Sequence, residues 1–295
     1  MKALLEYGAF RALSGFFGVL PELLARRIGL GLGYLLSFAS RSKLELLERH
    51  QRRIHGPDTP PKVVRRLARA MSASYGRYWA EVFWAHPRKR QVIADHIDVL
   101  DVAKVYVEQD AGRGVIFALP HLGNWEAAGA KADFIRLRVL AAAEALPNER
   151  IIDWFTKTRE GLGIDVVIAR PGAGVTKALV RRLNEGRVVA LVADRDLKGT
   201  GVEVELFGEK TTMPAGPVAL ADRTGAALYP VAAYFKAGRG HTVVVGDEIQ
   251  IRDLPTREER IEAGTRAFGV AVEDMVRKAP EQWHLFQPNW PSDRQ

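Results

Sequence analysis

The chain has 295 residues, of which 47% are hydrophobic and 26% charged, an ordinary globular composition with enough length for a substantial core. It contains no cysteine, which excludes disulfides, thiolate nucleophiles and cysteine-ligated metals. The net charge is +8, but residues 1–90 hold 17 of the 43 Lys and Arg residues and 6 of the 35 Asp and Glu residues. The positive excess therefore lies at the amino-terminal end, where it suits nucleic acid or an anionic membrane surface.

Hydrophobic residues within this basic region favour a membrane over nucleic acid as its partner. Residues 28–40 form an uncharged run of 13 that is too short to span a bilayer. A signal peptide is a poor match because Glu6 and Glu22 interrupt the segment. We expect a helix that lies in the membrane interface, and a helix pair packed on the protein core is the alternative. The run also contains three glycines that we interpret as close-packing positions: Gly29, Gly31 and Gly33.

Residues 1–95 are predicted to be helical. Apolar residues follow a helical spacing through 44–54 and again from 63 to 84, and a turn-forming cluster at 55–61 separates the two stretches. The second stretch carries an aromatic stripe that is typical of a core, with a wall for a lipid chain as the alternative: Tyr75, Tyr78, Trp79, Phe83 and Trp84.

From about residue 97 the pattern changes to alternating strands and helices. The predicted strands are Gly114–Leu119, Arg138–Ala143, Asp165–Ile168, Val188–Ala193, Leu228–Ala233 and His241–Val245. The predicted helices between them are Trp125–Phe134, Asn148–Leu162, Ala173–Asn184 and Pro217–Thr224. This alternation predicts an α/β fold with a largely parallel central sheet flanked by helices. We expect residues 1–95 and 96–295 to form one integrated domain.

The segment Leu119–Glu126 is the strongest candidate for chemistry. His121 directly follows a predicted buried strand, and the helix start after it offers backbone N–H groups where negative charge can develop. Asp194 follows a second predicted strand, so the two residues can share one crevice at the carboxyl edge of the sheet. The simpler alternative is a helix-capping histidine beside a solvated Glu126.

Six pieces of sequence occur in an order that carries a resemblance to a known family. They are residues 119–126 (LPHLGNWE), 193–196 (ADRD), 201–208 (GVEVELFG), 213–217 (MPAGP), 224–231 (TGAALYPV) and 283–290 (WHLFQPNW). Together they resemble the bacterial lipid A biosynthesis acyltransferase family of the glycerolipid acyltransferase superfamily, and within it most closely the actinobacterial phosphatidylinositol mannoside acyltransferases. The resemblance covers essentially the whole chain.

This resemblance implies transfer of a palmitoyl-like acyl chain from acyl-CoA, or from acyl carrier protein, to a hydroxyl of a membrane glycolipid. It also implies a peripheral enzyme at the cytoplasmic face of the cell membrane, with no metal, no nucleic acid partner and no cofactor beyond acyl-CoA as co-substrate. In the mannoside subgroup the acceptor is a mannose hydroxyl. Lipid A and lysophospholipid acceptors remain alternatives, as do thioester hydrolysis and a non-catalytic basic membrane or nucleic-acid binding protein.

The attacking alcohol needs a general base, and His121 is the best candidate because histidine has an unperturbed pKa near 6.5. Asp194 is the first candidate to stabilise the imidazolium and Glu126 the second; the resemblance supports both.

Arginines suit the phosphates of a donor or a lipid head group. The predicted substrate-binding residues are therefore Arg159, Arg170 and Arg195, with Thr200 and Glu203 near the motif. A solvated salt bridge is the alternative role for Arg159 and for Arg170. Arg223 is added at the donor end, although the mannoside subgroup often has an acidic residue there. We expect three residues near the carboxyl end to close the core or to lie at the interface: Trp283, His284 and Trp290. His284 is not expected to be catalytic.

Overall fold

The amino-terminal third of the chain is helical, as predicted. The computed structural model describes residues 1–170, 172–196, 199–251 and 253–294. Four helices come first: α1 (Lys2–Val19), α2 (Glu22–Leu36), α3 (Arg41–His55) and α4 (Pro61–Trp84). Proline residues separate α1 from α2 and begin α4, where the missing N–H costs no helical hydrogen bond.

Helices α2 and α4 pack closely through glycines. A Cβ atom at Gly33 would lie 2.3 Å from the Ser72 carbonyl oxygen, and one at Gly29 would lie 2.5 Å from the Ala80 Cβ. The close-packing prediction is therefore confirmed for Gly29 and Gly33, whereas Gly31 faces open space and the prediction there was wrong. With its glycine face against α4, α2 directs many of its leucines outward.

The outward faces of α1 and α2 are strongly apolar. Among the described residues, 14 of the 20 exposed large hydrophobic side chains lie within residues 1–38. The inner face is buried, for example at Phe17 and Ala25, so the predicted packing of this helix pair on the core holds for one face. None of the described helices combines the length and the apolar character that crossing a bilayer requires.

A seven-stranded sheet forms the centre of the remaining chain, in the spatial order β1-β9-β8-β2-β5-β3-β4. Neighbouring strands are parallel except for β8 and β9, which confirms the prediction of a largely parallel sheet. The strands are β1 (Ile97–Leu100), β2 (Val115–Leu119), β3 (Val139–Glu144), β4 (Asp165–Ala169), β5 (Val188–Val192), β8 (Ala227–Phe235) and β9 (His241–Val245). The hairpin β6 (Val202–Leu206) and β7 (Glu209–Met213) stands apart from the sheet.

Helices cover both faces of the sheet. They are α5 (Arg90–Asp95), α6 (Ala103–Asp110), α7 (Trp125–Phe134), α8 (Glu149–Gly161), α9 (Val175–Asn184), α10 (Gly216–Thr224) and α11 (Arg257–Lys278). Alternate residues of the central strands enter different cores: Phe117 and Leu119 pack on the side of α7, whereas Ile116 and Ala118 pack on the side of α10 and α11.

The predicted strands and helices were all found, with ends within three residues. Strand β1, the hairpin β6–β7 and helices α6 and α11 were not predicted. Strand β1 has four residues and offers little pattern, whereas α11 begins with a complete capping box between Thr256 and Glu259.

Candidate active site

The candidate site is built where two parallel neighbours of the sheet end. Strands β2 and β5 pair in register, with Leu119 opposite Val192, and the Ala193 N–H continues the ladder by donating to the Leu119 carbonyl at 2.9 Å. His121 and Asp194 each stand two residues beyond these strand ends. The register therefore brings the imidazole and the carboxylate to the same point of the sheet edge.

Asp194 holds the His121 side chain and its backbone together. One carboxylate oxygen lies 2.5 Å from Nδ1 of His121, and the other accepts the His121 backbone N–H at 2.9 Å and the Trp283 indole N–H at 2.8 Å. Burial raises the pKa of Asp194, but the charge of His121 and these hydrogen bonds outweigh it and lower the pKa. An ionised Asp194 makes Nδ1 the protonated ring nitrogen, which leaves the lone pair on Nε2.

The carboxyl-terminal segment fixes the loop that carries His121. The His284 backbone N–H donates to the His121 carbonyl at 2.7 Å, and the Gly123 N–H donates to the Gln282 carbonyl at 2.9 Å. Gly123 has φ +61°, and a Cβ atom there would lie 1.8 Å from the Ala233 carbonyl oxygen. Only glycine fits this position, because any side chain would collide with strand β8.

Asn124 connects this loop to the amino-terminal helices. Its side-chain oxygen caps α7 by accepting the Ala127 N–H at 3.1 Å, and its amide donates to the Glu81 carboxylate of α4 at 2.6 Å. Glu81 is buried and also accepts from His241 at 2.7 Å. Burial raises the pKa of Glu81, but the charges of His241 and of two arginines lower it well below its usual value. Those arginines are Arg26 of α2 and Arg77 of α4.

Glu126 faces a different partner from the one that its spacing suggested. Its carboxylate receives two hydrogen bonds from the Arg159 guanidinium of α8, at 2.5 and 2.9 Å. Burial lowers the pKa of Arg159, but the attraction of Glu126 outweighs it and raises the pKa above the usual value. The position beside Nδ1 of His121 belongs to Asp194, so Glu126 is placed to fix α7 against α8.

A cavity of about 650 Å³ opens beside His121. It lies between one face of the sheet and helices α7 and α8, and Tyr78 and Trp79 of α4 form part of its wall. His121, Glu126, Arg159 and Arg195 contribute polar groups, and most of the remaining lining is apolar. The apolar lining includes Phe117, Leu119, Ala128, Gly129, Ala132, Val139, Ala141, Ile152, Phe155, Ala190, Val231 and Val243.

This volume suits a long hydrocarbon chain. An apolar cavity of about 150 Å³ accommodates benzene, so this cavity has room for on the order of twenty carbon atoms. The aromatic stripe of α4 is divided between two surroundings: Phe83 and Trp84 are buried in the core, whereas Tyr78 and Trp79 reach the cavity.

Arg195 also lies at this cavity, where Nη1 donates to Gln287 at 2.6 Å and Nη2 lies 3.6 Å from the Glu144 carboxylate. The other predicted substrate-binding residues are not brought to it. Arg170 pairs with Glu149 beyond β4, and Glu203 pairs with Lys210 on the exposed hairpin. Thr200 and Arg223 are exposed and do not belong to the cavity lining of the described residues.

Two of the aromatic residues predicted for the core are fully buried, Trp283 and Trp290. Trp283 does more than fill space, since its indole N–H holds Asp194, and no local sequence signal indicated that contact. Asn124 was also missed, although its position just before a helix is a recognised capping signal. His284 is buried against Ser74, and burial lowers its pKa to about 3.

Comparison with known proteins identifies the class of enzyme. The family model of the bacterial lipid A biosynthesis acyltransferases matches residues 7–292. The chain therefore belongs to this family and is an O-acyltransferase, which confirms the resemblance carried by the motifs.

Among its relatives are proteins named phosphatidylinositol mannoside acyltransferase. The one from Mycolicibacterium smegmatis is 36% identical over 276 residues, which cover 93% of this chain and 88% of the relative. Two from Mycobacterium tuberculosis, strains CDC 1551 / Oshkosh and H37Rv, are 36% and 37% identical over 87% of this chain and 80% of their own length.

Proposed function

We propose that this acyltransferase moves a long fatty acyl chain from acyl-CoA to a mannose hydroxyl of a phosphatidylinositol mannoside, with His121 as the general base. The observation that carries the proposal is the position of the Asp194-bound imidazole at the polar end of an apolar cavity of about 650 Å³. The acceptor is inferred from the names of the relatives, of which the chain covers at least 80%.

The shape and chemistry of the cavity support a donor that carries a long hydrocarbon chain. A cavity lined mainly by apolar side chains takes up a hydrocarbon chain by the hydrophobic effect, and its polar end suits the thioester. Arg195 stands at this end with its side chain partly exposed, where its guanidinium can meet a donor phosphate. Arg159 is less suited to that task because two of its N–H donors are engaged by Glu126.

In the proposed reaction the acceptor oxygen attacks the thioester carbonyl carbon while its proton passes to Nε2 of His121. The carbon–oxygen bond forms, and a tetrahedral intermediate carries the charge on the former carbonyl oxygen. The carbon–sulfur bond then breaks, and the leaving CoA thiolate takes the proton from the imidazolium. Asp194 stabilises the imidazolium by its charge and keeps the ring in the orientation that the transfer requires.

A nucleophile from the protein is unnecessary in this scheme. Among the described residues, no serine, threonine or tyrosine side chain forms a hydrogen bond with His121. Its imidazole is therefore free to act on a hydroxyl of the acceptor. We further propose that the apolar outer faces of α1 and α2 contact the cytoplasmic face of the membrane that contains the acceptor.

The test is an acyl-transfer assay with labelled palmitoyl-CoA and three acceptors: a phosphatidylinositol mannoside, a lysophospholipid and a lipid A precursor. We expect product with the mannoside, and a fall in turnover of about 10²–10⁴-fold in His121→Ala. The exposed His55 at the end of α3 supplies the control variant, His55→Ala, which should retain turnover.

Three outcomes would contradict parts of this proposal. Product formed only with another lipid would identify that lipid, and not the mannoside, as the acceptor. CoA release that no acceptor accelerates would indicate a hydrolase. Turnover by a folded His121→Ala enzyme at the wild-type rate would show that His121 is not the general base.

A further inference from the structure

A second cavity lies where the end of α2 meets the start of α4. It has a volume of about 310 Å³ and shares none of its lining with the cavity beside His121. We call it the basic cleft, and its lining consists of Tyr34, Pro61, Lys62, Arg65, Arg66 and Arg69.

The cations of the basic cleft are poorly neutralised by the protein. They occur at positions i, i+3, i+4 and i+7 of α4, a spacing that places like charges side by side and destabilises a helix. Within the described chain, Arg65 alone among them has a carboxylate partner, Glu48 at 2.7 Å. The first turn of α4 has no acidic residue and no side-chain cap, so the helix dipole adds positive potential there.

Arg69 is held in place without using its hydrogen-bonding capacity. Its guanidinium carbon lies 4.2 Å from the ring centre of Phe38, and its Nε is buried with no hydrogen-bond partner among the described residues. Its two terminal nitrogens also form no hydrogen bond within the described residues, and because Arg69 lines the cleft they can donate to an anion bound there.

The border of the basic cleft shows what kind of anion fits. Tyr34 lines the cleft, Phe38 contacts Arg69, and Leu35 and Leu36 directly follow Tyr34 in the chain; each exposes 45–68% of its surface. A water-soluble phosphate or a nucleic acid backbone gives no reason for this apolar border. A phospholipid does, because its phosphate can enter the cleft while its acyl chains lie against the leucines.

We infer that the basic cleft binds the phosphate of an anionic bilayer phospholipid that is not a reactant. The inference builds on the proposed membrane contact but does not depend on which acceptor is acylated. Helix α4 carries Arg69 and, nine residues further, Tyr78 of the cavity wall, a separation of roughly 13 Å along the helix axis. A phosphate bound in the cleft would therefore fix the distance between the lipid head groups and the part of the cavity wall that Tyr78 forms.

The test measures partition of the full-length protein into vesicles of phosphatidylcholine alone or mixed with phosphatidylglycerol. The pair Arg66→Gln and Arg69→Gln should lower partition into the mixed vesicles by about 25-fold, since each cation near an anionic surface contributes about fivefold. The pair Arg66→Lys and Arg69→Lys keeps the charge but loses the planar fork, and should give an intermediate fall. The control pair, Arg181→Gln and Arg266→Gln, removes two exposed cations from α9 and α11 and should change partition little.

Three results would overturn the inference. The first is wild-type partition in the lysine pair, which would indicate diffuse attraction without a phosphate site. The second is an equal fall in the control pair. The third is tighter binding of a single-stranded oligonucleotide than of the mixed vesicles, with loss of that binding in the glutamine pair.

A turnover assay separates this inference from the proposed function. With the mannoside dispersed in neutral detergent, the glutamine pair should lose far less turnover than it loses on mixed vesicles. An equal loss on both would assign the cleft to a phosphate of donor or acceptor and overturn the bilayer-lipid inference. Failure of the wild-type enzyme in detergent and on vesicles, with its vesicle partition intact, would count against the acceptor alone.

Discussion

Two of the three histidine–carboxylate pairs among the described residues occupy very different regions of this protein. His121 lies 2.5 Å from Asp194 at the edge of the sheet, and His241 lies 2.7 Å from Glu81 beneath α4. The cavity beside His121 measures about 650 Å³, whereas the void that His241 lines measures about 30 Å³, enough for a single water. A paired imidazole is therefore not a sufficient sign of catalysis in this chain, and access to a substrate separates the two regions.

The surrounding charges differ as well. Asp194 is bound by the ring of His121, and its remaining hydrogen bonds come from the His121 backbone N–H and the Trp283 indole N–H. Glu81 is bound by three partners instead, the guanidinium groups of Arg26 and Arg77 and the ring of His241. The first arrangement orients one imidazole beside the large cavity, and the second forms a structural bridge between α2, α4 and the start of α7.

The largest expected effect comes from Asp194→Asn, which removes the carboxylate of the His121–Asp194 pair. An asparagine amide can donate to Nδ1 and so place the ring proton on Nε2, where a general base needs its lone pair. We expect turnover to fall by about 10²–10⁴-fold, with KM for palmitoyl-CoA much less affected. Steady-state kinetics and a thermal melt of the same samples check this. Turnover within a few-fold of wild type would remove Asp194 from the proposed mechanism.

Glu81→Gln applies the same change to the second pair and serves as the matched comparison. It leaves Arg77 and His241 buried without their anion and Arg26 paired with Glu22 alone, which should lower the free energy of unfolding by about 3–5 kcal/mol. Denaturant unfolding measures this loss. Turnover below the unfolding transition should fall far less than in Asp194→Asn. A stable Glu81→Gln enzyme with severely reduced turnover would show that the two regions do not differ as argued.

The sequence predicted the positions of His121 and Asp194 better than their contacts. Both residues follow buried apolar runs, and the strand-end rule for parallel sheets was sufficient to expect them in one crevice. The choice between Asp194 and Glu126 as the neighbour of Nδ1 depended on the direction of the first turn of α7. That turn points Glu126 toward Arg159 of α8, a contact that the spacing of the motif does not contain.

Contacts over long sequence separations were beyond sequence reasoning. Trp283 reaches Asp194 across 89 residues, and Glu81 reaches Asn124 across 43. Tertiary packing decides both contacts, and neither the hydrophobic periodicity nor the charge pattern of the sequence indicates them. The predicted phosphate ligands were too many rather than too few, because an arginine-rich chain offers many candidates. Arg170, for example, pairs with Glu149 and does not reach the cavity.

The smallest expected effect is an acid-dependent loss of stability at His284, which lies between the two regions. Burial lowers its pKa to about 3, and its nearest charges include His121, Glu81 and Asp194. Between the unfolded pKa near 6.5 and the folded value, the unfolded chain binds a proton that the native protein does not. Stability should therefore fall as the pH drops below 6.5, by about 2 kcal/mol between pH 6.5 and 5.

His284→Gln isolates this contribution because glutamine can keep a hydrogen bond to Ser74 without taking up a proton. The carboxyl groups of Asp194 and Glu81, whose pKa values are lowered, lose their contributions at more acidic pH, and the other histidines are common to both proteins. Unfolding in denaturant at pH 6.5 and 5 should thus show a smaller acid loss in the variant, by about 2 kcal/mol. Equal losses in the two proteins would mean that His284 is protonated in the native state. In that case the positive charge of His284 would lie beside both histidine–carboxylate pairs, and it would have to be included when the electrostatics of the two pairs are compared.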